Sequence, residues 1–192
     1  MMLIRAFIAV ELPPHIQKEL EIILINLQES GVRSVKWVNP HAIHLTLKFL
    51  GESSPQELSQ IADEIRKIAA TTAPLEVQVQ GIGAFPNLKR PRVVWVGLKS
   101  PPGLFRLQKA LEDAAEQIGY PREEREFSPH LTLGRVKREA SPTELTLLGQ
   151  TIAQKSVGTL GTMMINQLVL FRSDLKPEGA IYTPLAHFPL NG

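Results

Sequence analysis

Apolar and polar residues change their spacing several times along the chain, and each change marks a structural element. Residues 3–10 are almost continuously apolar, broken only by Arg5, as expected of a buried strand. Pro13-Pro14 then opens a stretch in which Ile16, Leu20, Ile23 and Leu27 recur at helical spacing until Gly31, which predicts a helix. Across Ile43–Leu50 the pattern alternates. Ile43, Leu45, Leu47 and Phe49 fall on one face and His44, Thr46 and Lys48 on the other, the signature of a half-buried strand. Ser54-Pro55-Gln56-Glu57 is a capping box with proline at the first helical position, and Leu58, Ile61, Ile65 and Ile68 supply the buried stripe of the helix it starts.

Strands are predicted at Leu75–Val79 and Val93–Leu98, with the turn-rich Phe85–Pro91 as a candidate connection between halves of the molecule. A third helix is predicted from about Pro102 to Ile118, with Leu104, Leu107, Leu111 and Ile118 inward and Gly119 past its end. Then the earlier pattern returns. His130-Leu131-Thr132-Leu133 repeats His44-Leu45-Thr46-Leu47, and Ser141-Pro142-Thr143-Glu144 is a second capping box. From histidine to capping serine the spacing is ten residues in the first copy and eleven in the second. Strand-like segments at Met163–Phe171 and Ala180–His187 complete the chain. We read residues 1–192 as one internally duplicated domain of the α+β class. Two pseudo-symmetric lobes, each with an antiparallel sheet and helices, are expected to flank an active-site cleft.

Composition narrows the chemistry. The 192 residues are 43% hydrophobic and 21% charged, values of a soluble globular protein. Cysteine is absent, which removes thiol nucleophiles, disulfides and cysteine-based zinc sites. No apolar run approaches the ~20 residues of a membrane span, and the N-terminus lacks a small-residue cleavage pattern, so a cytoplasmic protein without a membrane partner is expected. A net charge of +2 is too small for a general nucleic-acid scavenger and does not oppose a phosphate-bearing ligand.

Period-two geometry puts the histidine and threonine of each copy on one strand face, roughly 7 Å apart at ~3.3 Å per residue. If the two copies face one cleft, two imidazoles and two hydroxyls meet a single ligand. Opening a cyclic phosphate needs a base to activate water, an acid for the departing oxygen and donors for the nonbridging oxygens. Two histidines that titrate near neutrality can serve as the acid–base pair, and Thr46 and Thr132 as the donors, with no metal or cofactor required. On these grounds alone the roles of His44 and His130 are interchangeable. Arg135 suits a phosphate or nucleobase contact by charge and planarity, but strict alternation puts it on the wrong face unless Gly134 carries a bulge. Phe7 and Phe49 could stack a base, although their apolar neighbours favour core packing. Lys89-Arg90-Pro91-Arg92 could meet an RNA backbone or be a solvated turn. His15, His187 and His41 read as solvated or structural, and a zinc set of His41, His44 and His130 lacks a carboxylate to complete it.

Paired HxTx motifs, in HLTLKFLGE and FSPHLTLGRV, resemble those of the 2H phosphoesterase superfamily, most closely its LigT-like RNA 2′,3′-cyclic phosphodiesterase (2′-5′ RNA ligase) branch. RAFIAVELP, VKWVNPHAIHLTLKFLGE, PRVVWVGL and LFRSDLKPEGAIYTPL extend the resemblance over nearly the whole chain. It implies a bilobal fold and hydrolysis of the cyclic ester to a 2′-phosphate. It further implies His44 as proton donor to the 3′ oxygen, His130 as proton acceptor from water, and Thr46, Thr132 and Arg135 as phosphate ligands. The implied partner is RNA with 2′,3′-cyclic phosphate ends, tRNA halves among them, acted on by a monomer. The same site run in the other direction would join such halves through a 2′-5′ linkage. Two other readings stay open: a phosphodiesterase for a small cyclic nucleotide, and a non-catalytic module that binds RNA ends.

Overall fold

The computed structural model describes residues 3–176 and 179–192; Pro177 and Glu178, within the last of the stretches quoted above, lie outside the described residues. In chain order the elements are β1 (Ile4–Glu11), α1 (Pro14–Glu29), β2 (Val35–Trp37), a 3₁₀ turn (Pro40–Ala42), β3 (His44–Ser53), α2 (Pro55–Ala70), β4 (Leu75–Phe85) and β5 (Val93–Lys99). Then come α3 (Pro102–Ile118), β6 (His130–Val136), α4 (Pro142–Gln154), β7 (Thr159–Ile165), β8 (Gln167–Lys176) and β9 (Gly179–Pro189).

Local sequence accounts for most boundaries. Both capping boxes form: the Ser54 hydroxyl accepts from the Glu57 amide (3.2 Å) and the Ser54 amide donates to the Glu57 carboxylate (2.7 Å), with the same pair of bonds at Ser141 and Glu144. α3 stops because Gly119, at φ 107°, takes the left-handed turn that an L side chain resists.

Among the described residues the nine strands form one antiparallel sheet, ordered β7-β4-β5-β6-β3-β1-β8-β9, with β2 paired to β6. Each half reads outward from the seam between β6 and β3. At that seam the ladder is a single rung, Leu45 opposite Leu131. The chain crosses between halves rather than finishing one before starting the other. β1, β3, β8 and β9 build one half, covered by α2 and α3, whereas β4, β5, β6 and β7 build the second, against which α1 and α4 pack. All four helices lie on one face, where Ile8, Leu45, Leu131 and Val96 meet Ile16, Ile61, Leu111 and Leu148 in the main core. Burial of this apolar stripe is what holds helices to sheet.

Two expectations are corrected. Met163–Phe171 is not one strand: pairing breaks at Asn166, so that β7 pairs with β4 in one half of the sheet and β8 pairs with β1 and β9 in the other. Phe85–Pro91 does not join the halves but links β4 to β5, adjacent strands of the same half. Hydrophobic periodicity is blind to both, since it records burial and not the partner that provides it.

Candidate active site

The sheet face opposite the helices carries a cleft of about 830 Å³ lined by His44, Thr46, His130, Thr132 and Arg135, so the five residues singled out in the sequence come together. β3 and β6 deliver the two motifs side by side. Period two turns Leu45, Leu47, Leu131 and Leu133 into the core and leaves each histidine and threonine facing the cleft.

Alternation then breaks in both strands at the same place. Thr132 stands opposite Trp95 and Gly134 opposite Val94, so Leu133 is an extra residue, a bulge, and Leu133 and Gly134 are both buried. Arg135 is thereby returned to the cleft face. In β3, Thr46 stands opposite Ala9 and Lys48 opposite Ile8, so Leu47 is extra in the same way. This overturns the alternation expected across Ile43–Leu50. Lys48 points inward and is only 2% exposed, while Phe49 is 50% exposed and lines the cleft rather than packing in the core. Phe49 and Arg135 each stand five residues after a motif histidine and occupy matching places in the two halves.

Both imidazoles are held alike. Nδ1 of His44 lies 2.9 Å from the Ala42 carbonyl and Nδ1 of His130 lies 2.7 Å from the Ser128 carbonyl, each two residues upstream. A carbonyl accepts only, so Nδ1 carries hydrogen and Nε2 is left to take or give a proton. Burial pushes both imidazoles below the ordinary histidine value; the carbonyl contacts act in the opposite sense, and the Arg135 charge lowers both further.

Their neighbours differ. His44 stacks on Phe7 (centroids 4.8 Å apart) and meets the edge of Tyr182 (4.9 Å), and Phe7 continues the cluster to Phe171. His130 meets the edge of Phe85, with centroids 4.9 Å apart. Phe7 is 3% exposed, in a small cluster with Ala9, Val169 and Phe171 on the cleft side of the sheet. Tyr182, Phe85, Trp37 and Asn39 were not singled out in the sequence. IYTPL around Tyr182 belongs to a recognisable stretch, but its alternation gives no hint that β9 brings the ring to the first motif.

The remaining candidates lie elsewhere. His15 is exposed and bonds the Thr162 carbonyl (2.9 Å), His187 is exposed on β9, and Lys89, Arg90 and Arg92 are exposed around the β4–β5 turn, none lining the cleft. His41 is exposed beside Gln17. Among the described residues no three His, Asp or Glu side chains gather as a metal site, so His41, His44 and His130 do not form the zinc set considered above. No helix of the described residues is long and apolar enough to cross a membrane.

Known proteins resemble this chain in sequence and fold. Residues 12–176 match the family model of the 2′-5′ RNA ligase superfamily. The chain is 35% identical to the RNA 2′,3′-cyclic phosphodiesterase of Methanothermobacter thermautotrophicus, over 98% of this chain and all of that one. It is 36% identical to the protein of that name from Archaeoglobus fulgidus, over 96% and 99%. A crystal structure from Thermus thermophilus superposes with a TM-score of 0.78 at 32% identity, covering 98% of each chain.

Proposed function

The chain belongs to the 2′-5′ RNA ligase superfamily, and from that premise we propose that it is a phosphodiesterase that opens RNA 2′,3′-cyclic phosphate ends to 2′-phosphomonoesters, with His44 and His130 as its acid–base pair. The observation that carries this reading is the pairing of two imidazoles, each tied back through Nδ1, in one cleft with two threonines and an arginine.

In this mechanism Nε2 of neutral His130 takes a proton from water as the water oxygen bonds to phosphorus. The P–O3′ bond breaks, and Nε2–H of His44 protonates the departing O3′. Thr46, Thr132 and Arg135 hold the nonbridging oxygens while charge builds on them. The histidines end with their proton states exchanged and reset through solvent. Aromatic surroundings support His44 as the donor. O3′ stays on the ribose, and the nucleoside is best accommodated where Phe49 and Tyr182 provide apolar surface, whereas water enters on the more exposed side at His130. With an RNA 5′-hydroxyl in place of water the same displacement makes a 2′-5′ linkage. RNA ends such as tRNA halves, met by a cytoplasmic monomer, complete the reading.

A 2′,3′-cyclic-phosphate oligonucleotide incubated in EDTA tests it. Wild type is expected to yield the 2′-phosphate, with essentially none from His44→Ala or His130→Ala. Activity that appears only with added zinc or magnesium would refute the mechanism. A second reading, a small cyclic nucleotide as substrate, is favoured by a cleft volume of small-ligand size; turnover independent of oligonucleotide length would establish it.

A further inference from the structure

The bulge in β6 has a visible steric cause. Gly134 packs against β2, and a Cβ there would lie 2.5 Å from Val35 and 2.8 Å from Trp37, so only a residue without a side chain can face inward. β3 has no such neighbour, and its inward residue at the matching place is a lysine. A lysine does not enter a core unaided, because its ammonium must be paired and its hydrogen bonds met. Here they are. Lys48 Nζ donates to Glu112 Oε2 on α3 (2.8 Å) and to the Pro121 carbonyl (2.7 Å). Glu112, itself 6% exposed, accepts from Gln108 Nε2 (3.2 Å), and the same nitrogen reaches the carbonyl of Leu47, the extra residue of the bulge (3.4 Å).

Residue pattern alone favours the opposite arrangement, with Phe49 in the core and Lys48 outside. A one-residue change of register interchanges the two faces of a strand. We propose that Glu112, with Gln108, is a positioning element that locks β3 in its bulged register and so turns Phe49 into the cleft, where it receives the nucleobase. Glu112 touches no reacting atom; it acts through Lys48 on the residue next to it. The inference rests on the proposed reaction for the role of Phe49, but the register lock itself is independent of any substrate.

The test places 4-trifluoromethylphenylalanine at position 49 and reads ¹⁹F broadening by a soluble nitroxide, beside KM and kcat for adenosine 2′,3′-cyclic phosphate in unlabelled protein. Wild type is expected to give a broadened, exposed signal. Glu112→Leu leaves the Lys48 charge unpaired, so the signal should become protected and KM rise about tenfold, the size of one lost base stack, with kcat within about twofold. Adding Lys48→Met should restore exposure and KM, since an uncharged methionine can stay inward without a carboxylate partner. In a Phe49→Ala background Glu112→Leu should raise KM no further. Should Glu112→Leu not fold, Glu112→Gln is read in the same two ways. A ring that stays exposed in the Glu112 variants, or KM effects that add to those of Phe49→Ala, would overturn the lock. Wild type that opens no cyclic phosphate would refute the proposed reaction, and ring exposure alone would then decide the register.

Discussion

The strand β3 and the strand β6 begin with the same four residues, carry the same bulge one residue past the threonine, and tie their histidines to the same relative carbonyl. They differ in what stands beyond the bulge. β3 presents Phe49, backed by Phe7 and Tyr182, and β6 presents Arg135. Equal halves would bind a symmetric ligand in either orientation, and a nucleoside cyclic phosphate is not symmetric. One aromatic wall and one cationic wall are enough to make a two-fold site directional.

The sharpest way to break the comparison is to remove one imidazole at a time. His44→Ala and His130→Ala are each expected to lower kcat by about 10³-fold. A substrate whose 3′ bridging oxygen is replaced by sulfur has a leaving group that needs no proton, so it should rescue His44→Ala and leave His130→Ala inactive. Equal rescue of both would mean that the halves are interchangeable.

Arg135→Gln is the next largest, with an expected fall in kcat/KM on the order of 10²-fold for loss of a preorganised charged donor. It also carries a pH signature. Burial, followed by the Arg135 charge, holds both imidazoles below the ordinary histidine value. The free enzyme must keep one of them protonated, so the alkaline limb of kcat/KM should lie on the acid side of that value. Removing the Arg135 charge should move this limb to higher pH. An anionic phosphate in the cleft acts in the same direction, so the alkaline limb of kcat should lie above that of kcat/KM in wild type. An alkaline limb that stays put in Arg135→Gln would show that the arginine does not act on the imidazoles. The smallest expected effect is that of Phe49→Ala, about a tenfold rise in KM for a cyclic nucleotide with kcat little changed, measured against a base-free ribose cyclic phosphate that should show no change.

Much of this arrangement is legible before any coordinates. The four long helices, both capping boxes, the stop at Gly119 and the two HxTx strands follow from local rules, because each depends on residues within one or two turns of one another. What escapes those rules is set from a distance. Glycine in a strand is a recognised place for a bulge, and the placement of Arg135 is therefore within reach of the sequence. No local signal marks the bulge at Leu47, where the deciding residue is Glu112 on another element. Lys48 and Phe49 accordingly exchange the faces that alternation assigns them. The crossing of the chain between halves is hidden for the same reason, since burial looks identical whichever partner supplies it.

The single rung between Leu45 and Leu131 has a mechanical meaning. Elsewhere in the sheet neighbouring strands are laced by several rungs, so each half behaves as a stiff plate. Along the seam the backbone gives little resistance to bending, and the resistance comes from side-chain packing beneath. The seam also runs between the two histidines. A small rotation of one plate against the other would therefore change the gap between the two imidazoles while leaving each one's own support intact, as a pair of pliers opens at its pivot without deforming its jaws.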